Sequence, residues 1–280
     1  MRIIKPVTII TGASSGIGAA LAREFAKHGH DLALVALPEP TLEATADEIV
    51  AMGRPRPEVF PIDLGIRGAT GGLARELIER RLEPTNIVNS AGFGRIGAAA
   101  DLDHDEQLAM VELNTRVLTD LCLRWIDSLV RHQGGILNVG SIAGFFPGPG
   151  MAVYHATKAY ILLFGEALHF ELRPKGIRVT TLCPGPVDTP FMARAGIPTD
   201  YFPSILKRPA EYVARHGYHG FIQGECVVVP GSANRVFVSL LRFVPRGILM
   251  SLIGAGQRAA PAGGLVDGRA GGTRRGSQNV

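Results

Sequence analysis

Tyr154 and Lys158 are the residues whose types and spacing suggest proton chemistry. On a helix, residues four apart present their side chains on one face. A free phenol has a pKa of about 10 and is a poor acid or base at neutral pH. Because a nearby ammonium stabilises the phenolate, Lys158 is expected to lower the pKa of Tyr154. The same pair occurs on many helices by chance, so its interpretation depends on other residues.

Ser141 supports this interpretation because it ends a predicted strand. Open α/β sheets place their ligands at the carboxyl ends of strands. A hydroxyl at this position is suited to hydrogen-bond a carbonyl or alcohol oxygen. Tyr154, Lys158 and Ser141 together therefore favour an enzyme over a chance combination.

A glycine-rich turn near the N-terminus predicts a phosphate-binding site. It reads Thr11-Gly12-Ala13-Ser14-Ser15-Gly16-Ile17-Gly18 and connects the first predicted strand to the first predicted helix. Glycines let the backbone turn tightly, and the helix N-terminus offers free N–H groups to a pyrophosphate. The expected contacts are Gly12, Ser14, Ser15, Gly16, Ile17 and Gly18.

Short apolar runs alternate with longer helical patterns, which predicts a mostly parallel sheet with helices on both faces. The predicted strands are Val7–Thr11, Asp31–Ala36, Glu58–Ile62, Asn86–Asn89, Gly135–Val139, Arg178–Cys183 and Glu225–Val229. The predicted helices are Gly16–His28, Leu42–Met52, Ala69–Arg80, Glu106–Arg131, Val153–Leu172 and Ala210–Phe221. We expect one domain over 1–253, with a substrate loop at 185–208 and a C-terminal helical segment at 231–253. Residues 254–280, rich in Gly, Ala and Arg, are expected to be disordered.

Composition excludes several other classes. The formal charge is +4, and most of it lies after Gly254, so no nucleic-acid-binding face is predicted. The three cysteines are far apart and show no disulfide or metal spacing, which favours free thiols in a reducing cytoplasm. No signal peptide, membrane span or metal site is expected.

The T-G-x-x-x-G-x-G spacing and the Tyr154–Lys158 pair resemble the short-chain dehydrogenase/reductase superfamily, in its soluble branch of roughly 250 residues. The resemblance runs in the expected order from about Val7 to Val229 and implies a Rossmann-type, doubly wound fold of seven strands. It includes Asp63-Leu64, expected near the adenine, and the Asn89-Ser90-Ala91-Gly92 turn. It also includes Pro184-Gly185 with Val187 and Thr189, expected over the nicotinamide.

The resemblance assigns roles to four residues. It implies that Tyr154 is the general acid/base and that Lys158 holds the nicotinamide ribose and lowers the Tyr154 pKa. Ser141 would hydrogen-bond the substrate oxygen, and Asn114 would hold a water of the proton relay. The implied reaction is reversible hydride transfer between nicotinamide and a carbonyl or alcohol. The alternative is a nucleotide-binding sensor or scaffold without turnover; such proteins typically lose the tyrosine or the lysine.

The choice between NAD and NADP is read at the end of the second predicted strand. Neither Ala36 nor Leu37 is acidic or basic, and Leu37-Pro38 stands where relatives commonly carry two arginines. Glu39 would either face the ribose or begin the next helix. Because nothing at Ala36 would repel a 2′-phosphate, we favour NADP weakly over NAD.

Substrate and partners are predicted from apolar segments. A hydrophobic ketone, alcohol or acyl-type substrate is expected, with ordinary loop packing as the alternative; the proposed lining is Phe145, Phe146, Pro147, Phe191, Met192, Ile197, Tyr201 and Phe202. The long helices resemble those that pair subunits in this family, which implies a homodimer or homotetramer. The segment Phe237–Ile253 suggests membrane-surface contact, but an ordinary helix covering the core is favoured.

Overall fold

The structure, a computed structural model, describes residues 4–198, 200–241, 243, 244 and 247. Seven parallel strands form one sheet in the order β3-β2-β1-β4-β5-β6-β7. The strands are β1 Lys5–Thr11, β2 Leu32–Ala36, β3 Glu58–Pro61, β4 Leu82–Asn89, β5 Gly135–Val139, β6 Arg178–Leu182 and β7 Val227–Val228. The predicted doubly wound, parallel architecture is confirmed.

The helices flank the sheet on both faces. They are α1 Gly16–Lys27, α2 Pro40–Ala51, α3 Ala69–Glu79, α4 His104–Val111, α5 Leu118–Arg124, α6 Ile126–His132, α7 Ala152–Leu172, α8 Pro190–Arg194, α9 Ala210–Gln223 and α10 Ser232–Leu241. One core packs α1, α2 and α9 against the sheet around Phe25 and Phe221. The opposite core packs α3, α5, α6 and α7 around Leu73, Leu121 and Leu168. All residues of β2 and β5 are buried, as expected for strands covered on both faces.

The strand order reverses between β1 and β4, so the chain leaves these neighbouring strands in opposite directions. A crevice therefore opens at their carboxyl ends. The glycine-rich turn follows β1, the Asn89-Ser90-Ala91-Gly92 turn follows β4, and Ser141 follows β5. The fold thus brings segments that are far apart in the sequence to one edge of the sheet.

The predicted continuous helix over Glu106–Arg131 is wrong. The chain forms α4, a π-helical segment at Glu112–Val117, α5 and α6, with a break at Trp125. A π-helical segment carries more residues per turn than an α-helix, and here it accompanies the inward side chain of the buried Asn114. The Thr115 hydroxyl also donates to the Val111 carbonyl within this stretch, at 2.5 Å. Within the π-helical segment, Asn114 makes tertiary contacts with Phe93 and Thr157.

Other boundaries differ less. β4 begins four residues before the predicted start, through Pro84 and a register shift opposite Val7 and Thr8. The substrate loop contains α8, which begins at Pro190 after the extended Thr189. Of the predicted C-terminal segment, α10 is described, whereas most of Gly247–Ile253 and the whole predicted tail at 254–280 lie outside the described residues. The division of the chain into these regions stays a prediction.

Within the part of the chain that the structure describes, no helix combines the length and the apolar character needed to cross a bilayer.

Candidate active site

A cavity of about 820 Å³ lies at the carboxyl ends of the strands. One end is formed by the glycine-rich turn and the end of β2, and the other by Tyr154 and the substrate loop. Most of the predicted contacts line it: Gly12, Ser14, Ser15, Gly16, Ile17, Gly18, Asp63, Leu64, Ala91, Gly92, Ser141, Tyr154, Lys158, Pro184, Gly185, Val187 and Thr189. One cavity therefore joins the predicted nucleotide-binding residues to the predicted substrate-binding residues.

The glycine-rich turn depends on the absence of side chains. Gly12 has a φ of +65°, and a Cβ there would lie 2.9 Å from the Ala91 backbone. A Cβ on Gly18 would lie 2.1 Å from the Gly12 carbonyl oxygen. The turn is therefore pressed against its neighbours, and the first residues of α1, Gly16, Ile17 and Gly18, line the cavity. This cradle fits a pyrophosphate, which favours a helix N-terminus.

Tyr154 and Lys158 lie one turn apart in α7 and both line the cavity. The Lys158 ammonium donates to the Val139 carbonyl at 2.9 Å and lies 5.7 Å from the centre of the Tyr154 ring. The Ser141 hydroxyl oxygen accepts the Ala143 N–H at 3.1 Å, which fixes its position at the end of β5. The structure therefore brings these three predicted residues together.

Burial shifts both ionisable groups towards their neutral forms. It raises the pKa of Tyr154 to about 12, and the Ser141 hydroxyl acts in the opposite direction as a hydrogen-bond partner. Burial likewise lowers the pKa of Lys158 to about 8. In the protein alone, the predicted lowering of the Tyr154 pKa is not found, because desolvation of the phenolate outweighs the hydrogen bond of Ser141.

Asn114 lies behind the cavity wall and is buried. Its side-chain oxygen accepts the Phe93 N–H at 3.2 Å, and its side-chain nitrogen donates to the Phe93 carbonyl at 2.9 Å. The same nitrogen donates to the Thr157 hydroxyl at 3.1 Å, and that hydroxyl donates to the Tyr154 carbonyl at 2.8 Å. Asn114 thus connects the turn after β4 to the helix that carries Tyr154. Its predicted water-holding role stays a prediction.

Asn89 also lies behind the wall, within the sheet. Its side-chain nitrogen donates to the Asn138 side-chain oxygen at 2.9 Å and to the Cys122 sulfur at 3.3 Å. These contacts join β4 to β5 and α5, and the predicted contact of Asn89 with a cofactor stays a prediction. In the same turn, Ser90 and Ala91 do line the cavity, and their N–H groups donate to the Thr11 hydroxyl at 3.0 Å.

The other end of the cavity is largely apolar. Six of the eight predicted lining residues are present: Phe146, Phe191, Met192, Ile197, Tyr201 and Phe202. Phe145 and Pro147 are not among the described lining residues. Met151, Met192, Ala195 and Ile197 form a small core cluster against which Tyr154 and Phe191 pack. This cluster joins the substrate loop to α7.

Several lining residues were missed at the level of sequence. Gly94 gives space to Tyr154, because a Cβ there would lie 2.8 Å from the phenol ring. Arg194 on α8 reaches the glycine-rich turn and donates to the Ser15 hydroxyl at 3.2 Å. Arg95 lines the cavity and pairs with Glu106. His155, which follows Tyr154 in α7, also lines the cavity. No local motif marks these positions, because each depends on how loops meet across the crevice.

The residues from which the choice between NAD and NADP was predicted lie at the end of β2 and the start of α2. Ala36 and Leu37 line the cavity beside Ser14. Glu39 is the N-cap residue of α2, but its side chain makes no capping hydrogen bond; its carboxylate accepts the Thr41 hydroxyl at 3.4 Å. Glu39 therefore begins the helix, and it is not among the residues that line the cavity. Among the described residues, no group of three or more His, Cys, Asp or Glu side chains is placed to hold a metal ion.

A crevice at the switch point of a parallel sheet, with a glycine cradle at one end, defines a dinucleotide-binding fold of the Rossmann type. The family model described as short chain dehydrogenase matches residues 6–197, more than half of the chain. The protein therefore belongs to the short-chain dehydrogenase family of oxidoreductases, as its motifs predicted.

Similar proteins agree with this assignment. A probable oxidoreductase of Mycobacterium tuberculosis, EphD, is 33% identical over 191 residues, covering 67% of this chain and 32% of that relative. The match thus spans about a third of EphD. A short-chain dehydrogenase of Sphingobium yanoikuyae, solved with NADPH, is 30% identical with a TM-score of 0.73 and covers 94% of this chain and 99% of that one. A bulky-bulky ketone specific alcohol dehydrogenase of Comamonas testosteroni is 29% identical with a TM-score of 0.71 and covers 89% and 95%.

Proposed function

We propose that this protein catalyses reversible hydride transfer between a nicotinamide dinucleotide and a hydrophobic carbonyl or alcohol compound. The observation that carries the proposal is the convergence of Ser141, Tyr154 and Lys158 on the apolar end of a cavity whose other end is a phosphate cradle. When bound, the nicotinamide supplies or accepts the hydride. The residues of this chain bind the dinucleotide, orient the substrate and protonate its carbonyl oxygen.

Each residue has a defined task in the reduction direction. Ser141 donates a hydrogen bond to the substrate carbonyl oxygen, and Tyr154 donates its proton to the same oxygen as negative charge develops there. The phenol carries its proton at neutral pH, but its raised pKa makes it a weak acid, so proton donation depends on stabilisation of the phenolate. Lys158 holds the ribose and stabilises the phenolate that results. Asn114 positions α7 through Thr157 and, as proposed from sequence, holds a water that returns the proton.

We propose NADP(H) as the preferred cofactor. Ala36 and Leu37 leave the ribose end without a carboxylate at β2, and Glu39, at the start of α2, is not among the residues that line the cavity. The Sphingobium relative solved with NADPH supports the same choice. The ratio of kcat/KM with NADPH and NADH tests it, and a ratio below one would contradict it.

The catalytic role is tested with Tyr154→Phe in a screen of hydrophobic ketones, monitored by nicotinamide absorbance. We expect turnover to fall by roughly 10³-fold or more, because the acid that protonates the carbonyl is removed, while the Kd for NADPH changes little. Tyr212→Phe, on α9 and away from the cavity, is the matched control and should keep full turnover. Retained turnover in Tyr154→Phe would overturn the mechanism. NADPH binding without turnover of any ketone by the natural protein would favour the sensor or scaffold alternative.

A further inference from the structure

His155 follows Tyr154 in α7 and lines the same cavity. The centres of the two rings are 6.1 Å apart, and the rings are nearly perpendicular. Tyr154 is thus accompanied by a second polar ring on the substrate side of the site. The mechanism proposed above does not use it.

The hydrogen bonding of His155 fixes the position of its proton. Nδ1 lies 2.9 Å from the Phe146 carbonyl oxygen. Since a carbonyl can only accept, Nδ1 must carry the hydrogen, and in a neutral imidazole Nε2 is then a bare acceptor. The Phe146 ring packs edge-on against the imidazole at 5.1 Å and holds its orientation.

The environment favours the neutral ring. Burial lowers the pKa of His155, although the Phe146 and Ala143 carbonyls oppose the shift. Apolar residues such as Phe191 and Met192 form much of the nearby wall. If a bound molecule covers Nε2 without donating a hydrogen bond to it, the binding free energy is reduced by the cost of desolvating the nitrogen.

Gly148 maintains this arrangement. A Cβ at this position would lie 2.2 Å from both Cδ2 and Nε2 of His155. It would also lie 2.4 Å from Cγ, so it stands over the face of the imidazole. The backbone therefore packs against this face, and any side chain would displace the ring. Gly148 and His155 line the cavity together.

We infer that Nε2 of His155 accepts a hydrogen bond from the substrate, so that the enzyme selects apolar carbonyl compounds bearing a hydroxyl or N–H group close to the reacting carbon. This inference rests on the proposed function. A site with a buried acceptor rejects an analogue that lacks the donor, because the acceptor is then left unpaired. His155 is thus a specificity-determining residue.

The test compares matched ketones that differ in one hydroxyl: benzoin with deoxybenzoin, and β-hydroxypropiophenone with propiophenone. We expect the natural protein to prefer the hydroxylated member of at least one pair by roughly 3- to 10-fold in kcat/KM, the value of one neutral hydrogen bond. In His155→Asn the amide nitrogen can keep the bond to Phe146, but no atom replaces Nε2, so the preference should fall to about one. His155→Gln, whose amide oxygen can reach the Nε2 position, should keep part of the preference.

His169→Asn is the matched control. His169 lies on the same helix, and its Nδ1 bonds the Val179 carbonyl at 2.8 Å. This variant should keep the full preference, and thermal unfolding should show that all variants fold. A preference below about twofold in both pairs, or a preference that survives His155→Asn, would overturn the inference.

The affinities of the same ketones for the NADPH-bound protein, measured by quenching of NADPH fluorescence, give a readout that needs no turnover. Absent turnover contradicts the proposed function, whereas equal affinities within both pairs contradict the role of His155. The two failures are therefore distinguishable.

Discussion

At the scale of single residues, burial determines the protonation states in the candidate site. It raises the pKa of Tyr154 to about 12 and lowers that of Lys158 to about 8. The two shifts have the same cause, because a poorly solvated environment penalises a phenolate and an ammonium alike. Sequence spacing identified the pair but predicted the opposite shift for Tyr154. Spacing reports proximity, whereas the depth of burial depends on the loops that cover the site.

Lys158 should therefore reduce the stability of the fold at neutral pH. Its folded pKa is below the unfolded value, so the unfolded chain binds more protons between about pH 8 and 10.5, and stability rises with pH across this window. Below about pH 8 the full penalty is present. Lys158→Met should raise the free energy of unfolding at pH 7 by about 1–3 kcal/mol, after the loss of the bond to Val139 is counted. Its activity should be lost.

The measurement is denaturant unfolding of both proteins from pH 7 to 10. The advantage of Lys158→Met should shrink as pH rises. Lys175→Met, at an exposed position, is the control and should show no such trend. If Lys158→Met is less stable than the natural protein at pH 7, the buried charge of Lys158 does not destabilise the fold.

Arg194 should contribute to nucleotide binding. Its guanidinium lies beside Ser15 at the phosphate cradle, but it is exposed, so solvent weakens the interaction. We expect Arg194→Ala to raise the Kd for NADPH by roughly 3- to 10-fold, as measured by fluorescence titration. The effect should weaken with salt. Arg173→Ala is the control, and equal affinities for the two variants would disprove the contact.

At the scale of elements, strands such as β2 and β5 were predictable because each is a short apolar run buried on both faces. The helix over Glu106–Arg131 was predicted as continuous, because periodicity cannot report the π-helical segment around Asn114. That segment accompanies contacts with Phe93 and Thr157, which are distant in the sequence. Likewise, the motifs located most of the site, while Gly94, Arg194 and His155 became evident only once loops and helices were placed together.

The turn between β1 and α1 can be tested as an element. Gly12→Ala must place a Cβ 2.9 Å from the Ala91 backbone, so the turn must shift and the phosphate cradle must open. We expect the Kd for NADPH to rise at least roughly tenfold. Gly53→Ala is a closely matched control, because Gly53 also has a positive φ, +76°, but nothing lies within 4 Å of its Cβ position.

Both glycine variants should lose about 1 kcal/mol of stability from the strained backbone. Only Gly12→Ala should lose nucleotide affinity. If both variants bind NADPH as the natural protein does, the close approach of Gly12 to Ala91 does not shape the site.

At the scale of the whole molecule, α7 has one face at the cavity and the sheet and another face exposed to solvent. One face carries Tyr154 and Lys158 into the cavity and packs against the sheet. The other exposes a stripe of large side chains, with Leu163 66% and Phe170 68% accessible. These two residues are seven apart and therefore share a helix face. Leu123 on α5 and Tyr160 are also exposed. Several exposed large side chains on neighbouring helices favour association.

We therefore propose that α7 pairs with a second copy of this chain in a homodimer or homotetramer, as expected from the sequence. Multi-angle light scattering should give at least twice the monomer mass at micromolar concentration. Leu163→Glu combined with Phe170→Glu should give the monomer mass, because charges would be buried at the interface. Val50→Glu is the control, since Val50 is 43% exposed on α2, which packs on the opposite face of the sheet. A natural protein of monomer mass, or a double variant that still associates, would show that this face of α7 does not join subunits.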